Sequence, residues 1–374
     1  MSSLDKTASN NGQPLQQGAF QRALRGVLND TSARWAVVIL VALYIMVGLA
    51  NFFAPYSEHW HDRSLANAPP TTIYLRSVDG QLRWPYVLKQ VRTFNKQALE
   101  YTYHDDTSTE YPVQLFAQGE PYRLFGILST DRHLLGVSPP ARLSLLGNDM
   151  NGRDIFSRTL FGGRISLTIG FLSLFVAFPL GLLYGGISGY FGGWLDTFMM
   201  RFAEVMMSIP SLYLLITLAA IIPSSLSSTQ RFALVVVSLA SIGWAGFSRV
   251  IRGMVLSIRK QEFVEASRAL GKSHLGIIID HVLPQTFSFL MVALTLSVPG
   301  YILMESGLSF LGLGIQQPDA SWGNMLKEAQ NLTNVLYRPW MLAPGGFIFI
   351  AVLAFNILGD AVRDALDPKS QQRV

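Results

Sequence analysis

Six apolar runs restrict what this chain can fold into more than any other feature. A helix needs about 20 mostly apolar residues to cross the hydrocarbon core of a bilayer. The runs are Trp35 to Phe53, Ile165 to Tyr190, about Phe202 to Ile222 with Pro210 inside it, Phe232 to about Phe247, Thr286 to Leu311 and Met341 to Leu358. Arg249 and Arg252 close the fourth. One such run also fits a helix buried in a large soluble core, but six in 374 residues do not. Composition agrees. Only 14% of the residues are charged, against about 25% in soluble proteins, and lipid-facing surface accounts for the deficit.

The first run follows a polar tail of more than 30 residues and exceeds the roughly 7–15 apolar residues of a signal peptide, so it reads as an uncleaved anchor. The tail is rich in Gln, Asn and Ser and is expected to be partly disordered. Arg22, Arg25 and Arg34 before the anchor place the amino terminus in the cytoplasm. Six crossings return the carboxyl terminus, with Arg363, Lys369 and Arg373, to the same side. The loop after the fourth span, with Arg249, Arg252, Arg259, Lys260, Arg268 and Lys272, also falls inside. Arg153, Arg158 and Arg164 oppose this assignment, but they belong to a long loop, where the charge rule has little force.

The resulting division is a cytoplasmic tail 1–33, a first transmembrane helix 34–53, an extracytoplasmic insertion 54–146, a membrane core 147–366 and a cytoplasmic tail 367–374. The expected fold is an all-α polytopic membrane protein with six transmembrane helices and a small, mainly β extracytoplasmic insertion between helices 1 and 2. Alternation in "TTIYLRSVDG", "YPVQLFAQGEPYRLFGIL" and "HLLGV" supports strands, with Asp79-Gly80 and Gly119-Glu120-Pro121 as turn signals. Glu58 to Asp62 ("EHWHD") and Tyr103 to Asp106 ("YHDD") hold metal-ligand residue types, yet no spacing brings them together, so no metal is expected. Asn148 to Asp154 ("NDMNGRD") lacks the acidic order of a calcium loop. Zero cysteines exclude disulfides and thiolate chemistry. The net charge of +5 is scattered without an aromatic-interleaved stripe, so nucleic acid is not an expected partner.

Ionisable groups at mid-membrane mark ion-coupled carriers. Here the interiors of spans one, two, four and six carry none, Arg201 and Glu204 sit near the inner end of the third, and Glu305 in the outer part of the fifth. No protease motif and no internal repeat is present. A chain so built has little means of driving transport or catalysis alone, and no catalytic residue is assigned.

The loop 259–285 offers an outside source of energy. Glu262 to Leu270 holds good helix formers, Gly271 suits a left-handed terminus, and Ser273 suits a second cap. Leu275, Ile278, Ile279 and Val282 recur at helical spacing as one apolar face, and Pro284 ends or kinks that helix. Two short helices bent at a glycine suit a plug that docks into a partner; they equally suit a helix lying in the lipid interface.

The segment resembles the "EAA" loop of bacterial ABC-transporter permeases: Glu265-Ala266-Ser267, then Gly271, then His281-x-Leu283-Pro284. Ser267 stands for alanine and His281 for isoleucine. Further stretches resemble the C-type subunit of the dipeptide/oligopeptide (Dpp/Opp) group: Leu146 to Leu167, Gly189 to Asp196, Glu305 to Leu326 and Asn356 to Lys369. The resemblance covers most of 146–369 and leaves the insertion aside. It implies a permease subunit of an ATP-driven importer in the bacterial inner membrane, forming the path for peptides. Its implied partners are a B-type second permease, two ABC ATPase subunits and an extracytoplasmic substrate-binding protein, with the ATPases using ATP and Mg. This chain would bind no cofactor itself: "GKS" at Gly271 to Ser273 has Ala266 where a phosphate loop needs its first glycine.

Within that frame Pro299 and Gly300 are candidate hinge or pathway residues. Trp322, Met325, Ala329, Leu332 and Leu336 share one face of an outer segment, a candidate docking surface for the binding protein. Gly181, Gly185 and Gly189 permit close helix approach. Relatives of the group carry nickel or other small solutes, and a membrane-anchored sensor or scaffold would also explain the insertion, though not the match across the core.

Overall fold

The computed structural model describes residues 15–76, 81–96, 100–124, 126–223 and 226–367. The Asp79-Gly80 turn signal, residues 1–14 and the terminal Lys369 and Arg373 lie outside them. In chain order the helices are α1 Leu15–Asn29, α2 Thr31–Gly48, α3 Ala50–Phe53, α4 Ile155–Phe191, α5 Gly193–Ser208, α6 Ser211–Ile221, α7 Ser228–Ile258, α8 Glu262–Ala269, α9 His274–Ile277, α10 Phe287–Phe310, α11 Trp322–Leu326, α12 Leu332–Tyr337 and α13 Ala343–Leu366. Strands β1 Tyr74–Arg76, β2 Leu82–Asn95, β3 Glu100–Pro112, β4 Gln114–Leu124 and β5 Leu128–Gly136 fall between α3 and α4.

Helix starts follow local chemistry. The Asp30 side chain accepts from the Ala33 amide at 2.9 Å to open α2, and Asp154 accepts from the Ser157 amide at 2.7 Å to open α4. Burial pushes the Asp154 carboxyl up to about 7, against the lowering effect of those Ser157 bonds. Ser227 and Gln230 close a capping box on α7. Among the described residues five helical runs are long and apolar enough to cross a membrane. The third apolar run departs from expectation: α5 and α6 meet at an 82° bend, because Pro210 offers no amide to continue the helix. The fourth run also exceeds its expected end, since α7 passes Arg249 and Arg252 to Ile258; both arginines sit on the helix itself.

The core threads α2, α4, α7, α10 and α13 through Leu40, Leu167, Leu239, Ile302 and Ala351. Outward faces stay apolar, with Phe175, Phe198 and Phe349 at 77%, 67% and 66% exposure. Large apolar surface left open this way fits a bilayer as solvent and not water. Helix α1 packs on the end of α13 through Ala23, Val27, Val362 and Leu366, so both ends of the described chain lie together.

The insertion is two small sheets: β1-β2-β3 and the β4-β5 hairpin, all antiparallel. Its core is Val87, Val113, Ala141 and Leu143. Gly119-Glu120-Pro121, expected as a turn, lies inside β4 where the register shifts; the chain reverses instead at Gly126, whose φ is +74°. Strands β2 and β3, the longest, carried no clear alternation: about half of their described side chains are exposed, and in β2 Tyr86, Val87 and Leu88 are buried in succession. Among the described residues no three His, Asp or Glu converge for a metal. Their carboxylates serve structure: Asp62 accepts from the Ser64 amide and hydroxyl, and Asp105 accepts from Tyr74 at 2.7 Å.

Candidate coupling site

The loop after α7 folds as two helices set at an angle by Gly271. Leu270 ends α8, and the Gly271 and Lys272 amides reach back to the Arg268 and Ser267 carbonyls at 3.0 and 3.2 Å. That pairing requires a left-handed residue, and Gly271 supplies it with φ +77°. A Cβ at Gly271 would meet nothing within 4 Å. Gly271→Ala is therefore expected to cost about 1–2 kcal/mol through backbone strain alone, with Gly271→Asn milder; thermal unfolding of the purified chain measures both.

Ser273 opens α9, its hydroxyl accepting from the Gly276 amide at 3.2 Å. The Lys272 ammonium, 2.9 Å from Asp280 and 3.1 Å from the His281 imidazole, ties the glycine bend to the next turn. His281 thus has a local role that isoleucine lacks. After α9 the helix widens to a π turn over Ile278–Val282 and tightens to a 3₁₀ turn over Leu283–Thr286 before α10. Pro284 sits at the start of that tight turn, where its missing amide costs little. The proline neither ends nor breaks the segment, and one helical body runs from His274 to Phe310.

The changing pitch corrects the expected apolar face. Ile277, Ile278 and Val282 point inward against Tyr190, Ile251, Val255, Ile258 and Val264, while Leu275 and Ile279 remain 58% and 54% exposed. Leu270, at 88% exposure, joins them outside. Glu265 and Ala266 are exposed on α8; Ser267 is half-buried and donates to the Phe263 carbonyl. Leu283 lies within 3.0 Å of where a Gly186 Cβ would stand, so a glycine on α4 makes room for the loop.

Polar contacts hold the loop to the α4–α5 turn. The Arg259 guanidinium donates to the carbonyls of Gly189 and Tyr190, both at 3.0 Å. Arg268 lies 5.6 Å from the Tyr190 ring centre, and the Tyr190 hydroxyl is 3.0 Å from the His274 imidazole. One turn away, Arg252 grips Asp196 through two bonds of 2.6 and 2.5 Å, and Ser188 donates to the same carboxylate. Sequence reasoning passed over this clamp. Its only signal was an unpaired acid, Asp196, three residues beyond the Gly192-Gly193 turn and opposite a basic loop.

The structure brings Glu265, Ala266, Ser267, Gly271, His281, Leu283 and Pro284 into one body, and leaves the other candidates elsewhere. Pro299 is buried inside α10, and a side chain at Gly300 would enter open space. Trp322 and Met325, expected on a docking face, are instead 0% and 8% exposed. Trp322 donates to the Thr159 carbonyl at 2.9 Å, and its amide bonds Ser166, which also reaches the buried Glu305. The two residues anchor the core because the chain bends between Gln330 and Leu332, so that Leu332, Leu336 and Tyr337 are the large apolar side chains of that segment left exposed among the described residues.

Among the described residues, then, helices long and apolar enough to cross a membrane carry a surface loop packed against the ends of two of them. Residues 177–372 match the family described as "Binding-protein-dependent transport system inner membrane component", and the chain belongs to that family. It is 39% identical over 244 residues to the oligopeptide transport system permease protein OppC of Haemophilus influenzae, covering 65% of this chain and 76% of that one. It is 42% identical over 233 residues to the dipeptide transport system permease protein DppC of Bacillus subtilis, covering 62% and 70%. A solved amino acid ABC transporter aligns over 54% of this chain and 91% of its own, at 19% identity and a TM-score of 0.39.

Proposed function

We propose that this chain is the C-type permease subunit of an ATP-driven importer of short peptides. It crosses the bacterial inner membrane six times, the bent α5–α6 pair forming the third crossing, with both termini in the cytoplasm and the insertion outside. The observation that carries the mechanism is the loop 259–285: it exposes Glu265, Leu270, Leu275 and Ile279 while its inner face is packed and hydrogen-bonded to α4 and α7. The exposed face suits the groove of a separate ATPase subunit, and the fixed inner face passes that subunit's motion to the bundle. Because α9, the π turn and α10 are one continuous helical body, displacement of the loop tilts α10 without loss in a flexible hinge. Pro299 and Gly300 then let the outer half of α10 bend as the path changes access.

A B-type permease supplies the other wall of the path, two ATPases supply ATP and Mg chemistry, and a binding protein delivers peptide to the outer end. ATP-driven closure of the ATPases selects one access state, and the loop transmits that bias. Leu332, Leu336 and Tyr337 form the docking rim at that end. The relatives' oligopeptide and dipeptide systems support the cargo. Proteoliposomes holding all subunits should accumulate labelled di- to pentapeptides only with internal ATP and the binding protein present. Accumulation of nickel but no peptide, or ligand binding with no uptake of either, would overturn the reading.

A further inference from the structure

Between the insertion and the membrane core lies an open cavity of about 710 Å³ lined by four arginines, Arg63, Arg92, Arg153 and Arg158, with His59 and His61, and by no acid. Volumes of roughly 300–1,000 Å³ suit small molecules. Two arginines are already committed. Arg153 gives its donors to Asp149 at 2.6 Å, Glu328 at 3.0 Å and Gln317. Arg158 donates to the carbonyls of Glu58 and Pro318, each at 3.2 Å, and to Gln317. The acids paired with Arg153 stand behind the wall, as do Glu58, which accepts from the Ala320 amide, and Asp62, which accepts from Ser64.

Arg63 and Arg92 differ. Among the described residues the Arg63 guanidinium makes no hydrogen bond, and its carbonyl accepts from Arg92 Nη1 at 3.0 Å. That bond sets the two arginines side by side. Arg92 lies 3.5 Å over the Tyr101 ring, which fixes its plane, and its Nε is buried without a partner. The Arg63 guanidinium fork is therefore free, among the described residues, to meet an acceptor in the cavity, with the Arg92 guanidinium beside it. Met150, Ala66 and Pro318 line the remaining wall and suit an apolar body attached to the charged head.

We infer that this cavity is a separate binding site for a small solute carrying a carboxylate, held by Arg63 and Arg92. The carboxylate presents two oxygens in a plane, matching a guanidinium fork; the apolar wall favours an organic anion over a bare inorganic one. The inference is independent of the cargo and direction of transport, since every residue in it belongs to this chain and none lies in the coupling loop.

Isothermal titration of the full chain in phosphatidylcholine nanodiscs tests it, with Gly-Gly-Glu, the carboxylate-free Gly-Gly-Gln amide and inorganic phosphate as probes. Gly-Gly-Glu should bind saturably, and the amide at least about tenfold more weakly. Arg63→Gln/Arg92→Gln should lose at least about tenfold in Gly-Gly-Glu affinity with wild-type thermal unfolding. If the double variant does not fold, Arg63→Gln alone decides, because that side chain is exposed and makes no hydrogen bond among the described residues. Equal affinity for peptide and amide, wild-type affinity in the folded variant, or no binding to the folded chain would overturn the site. Phosphate binding as tightly as the peptide would overturn the carboxylate assignment. Loss of peptide affinity when phosphatidylglycerol replaces phosphatidylcholine would make it a lipid headgroup site instead.

Discussion

Glu265→Arg is expected to lower peptide uptake and substrate-stimulated ATP hydrolysis by the assembled transporter at least about 30-fold, while the chain itself folds and unfolds as before. Glu265 is exposed in the first turn of α8, and among the described residues no side chain pairs with it. Within the chain the substitution removes only a favourable interaction with the helix amino terminus, about 0.3–1 kcal/mol. At a buried interface the same change places a cation where an anion was matched, costing about 2–5 kcal/mol or more. The gap between those magnitudes makes the experiment decisive. Leu270→Ala is a milder companion: Leu270 is 88% exposed, so truncation barely touches folding yet removes an apolar contact from the docked face. Wild-type hydrolysis and uptake in Glu265→Arg, with the subunits assembled, would remove the loop from the coupling path.

The same loop shows what a sequence discloses and what it conceals. Gly271, Ser273 and the helix over Glu262–Ala269 were legible because each rests on local chemistry: a left-handed terminus, a hydroxyl cap and good helix formers. The direction of the second helix was not. Counting at 3.6 residues per turn groups Leu275 with Ile278, Ile279 and Val282, whereas the wider π turn brings Ile277 and Ile278 inward and turns Leu275 and Ile279 out. No local residue choice announces such a turn. Here it allows the loop to stay packed under α4 and α7 and still enter α10 without a break. The Tyr190 clamp was hidden for a different reason. Arg259 and Arg268 looked like orienting charges in a loop, and their partners lie about 70 residues earlier in the chain.

The fold divides the same way. Apolar runs marked each of the five described helical runs long and apolar enough to cross a membrane, because lipid imposes its demand on each helix separately. Pro210 was visible, but its effect was not: proline within a run permits a kink or a break, and the neighbours decide which. Trp322 and Met325 looked amphipathic by spacing, and tertiary burial claimed them for Thr159 and the outer core. In the insertion, turn chemistry gave the right class and the wrong turn, since Gly119 serves a bulge against His133 while Gly126 makes the reversal. The cationic cavity could not be read at all. Arg63, Arg92 and Arg153 are far apart in sequence, and only the packing of the insertion on the core brings them together.

The small-residue stripe on α4 yields the largest expected effect on stability. Helices α4 and α7 run parallel, and Gly181, Gly185 and Gly189 face successive turns of α7. A Cβ at Gly185 would stand 2.2 Å from the Ser248 carbonyl oxygen and 3.0 Å from the Ile251 Cβ. At Gly181 and Gly189 the nearest carbonyl oxygens, of Trp244 and Arg252, would each lie at 2.8 Å. The obstacle is backbone on a rigid helix, so no side-chain rotation relieves it, and the two axes must part. Gly185→Ala is expected to destabilise the chain by about 1–3 kcal/mol, and Gly185→Leu to prevent native packing. Gly253→Ala supplies the control: it lies on α7 with nothing within 4 Å of its Cβ position, so the better helix propensity of alanine should leave stability equal or raised by up to about 1 kcal/mol. Equal unfolding midpoints for the two alanine variants in the same micelle would show that the stripe bears no packing load. The functional consequence follows from where the stripe ends. Gly189 borders Tyr190, and Ile251 and Val255 floor the seat of the coupling loop, so parting α4 from α7 also loosens that seat. Gly185→Ala should therefore retain basal ATP hydrolysis by the partner subunits and lose its stimulation by substrate, a pattern that a defect confined to the outer end of the bundle would not produce.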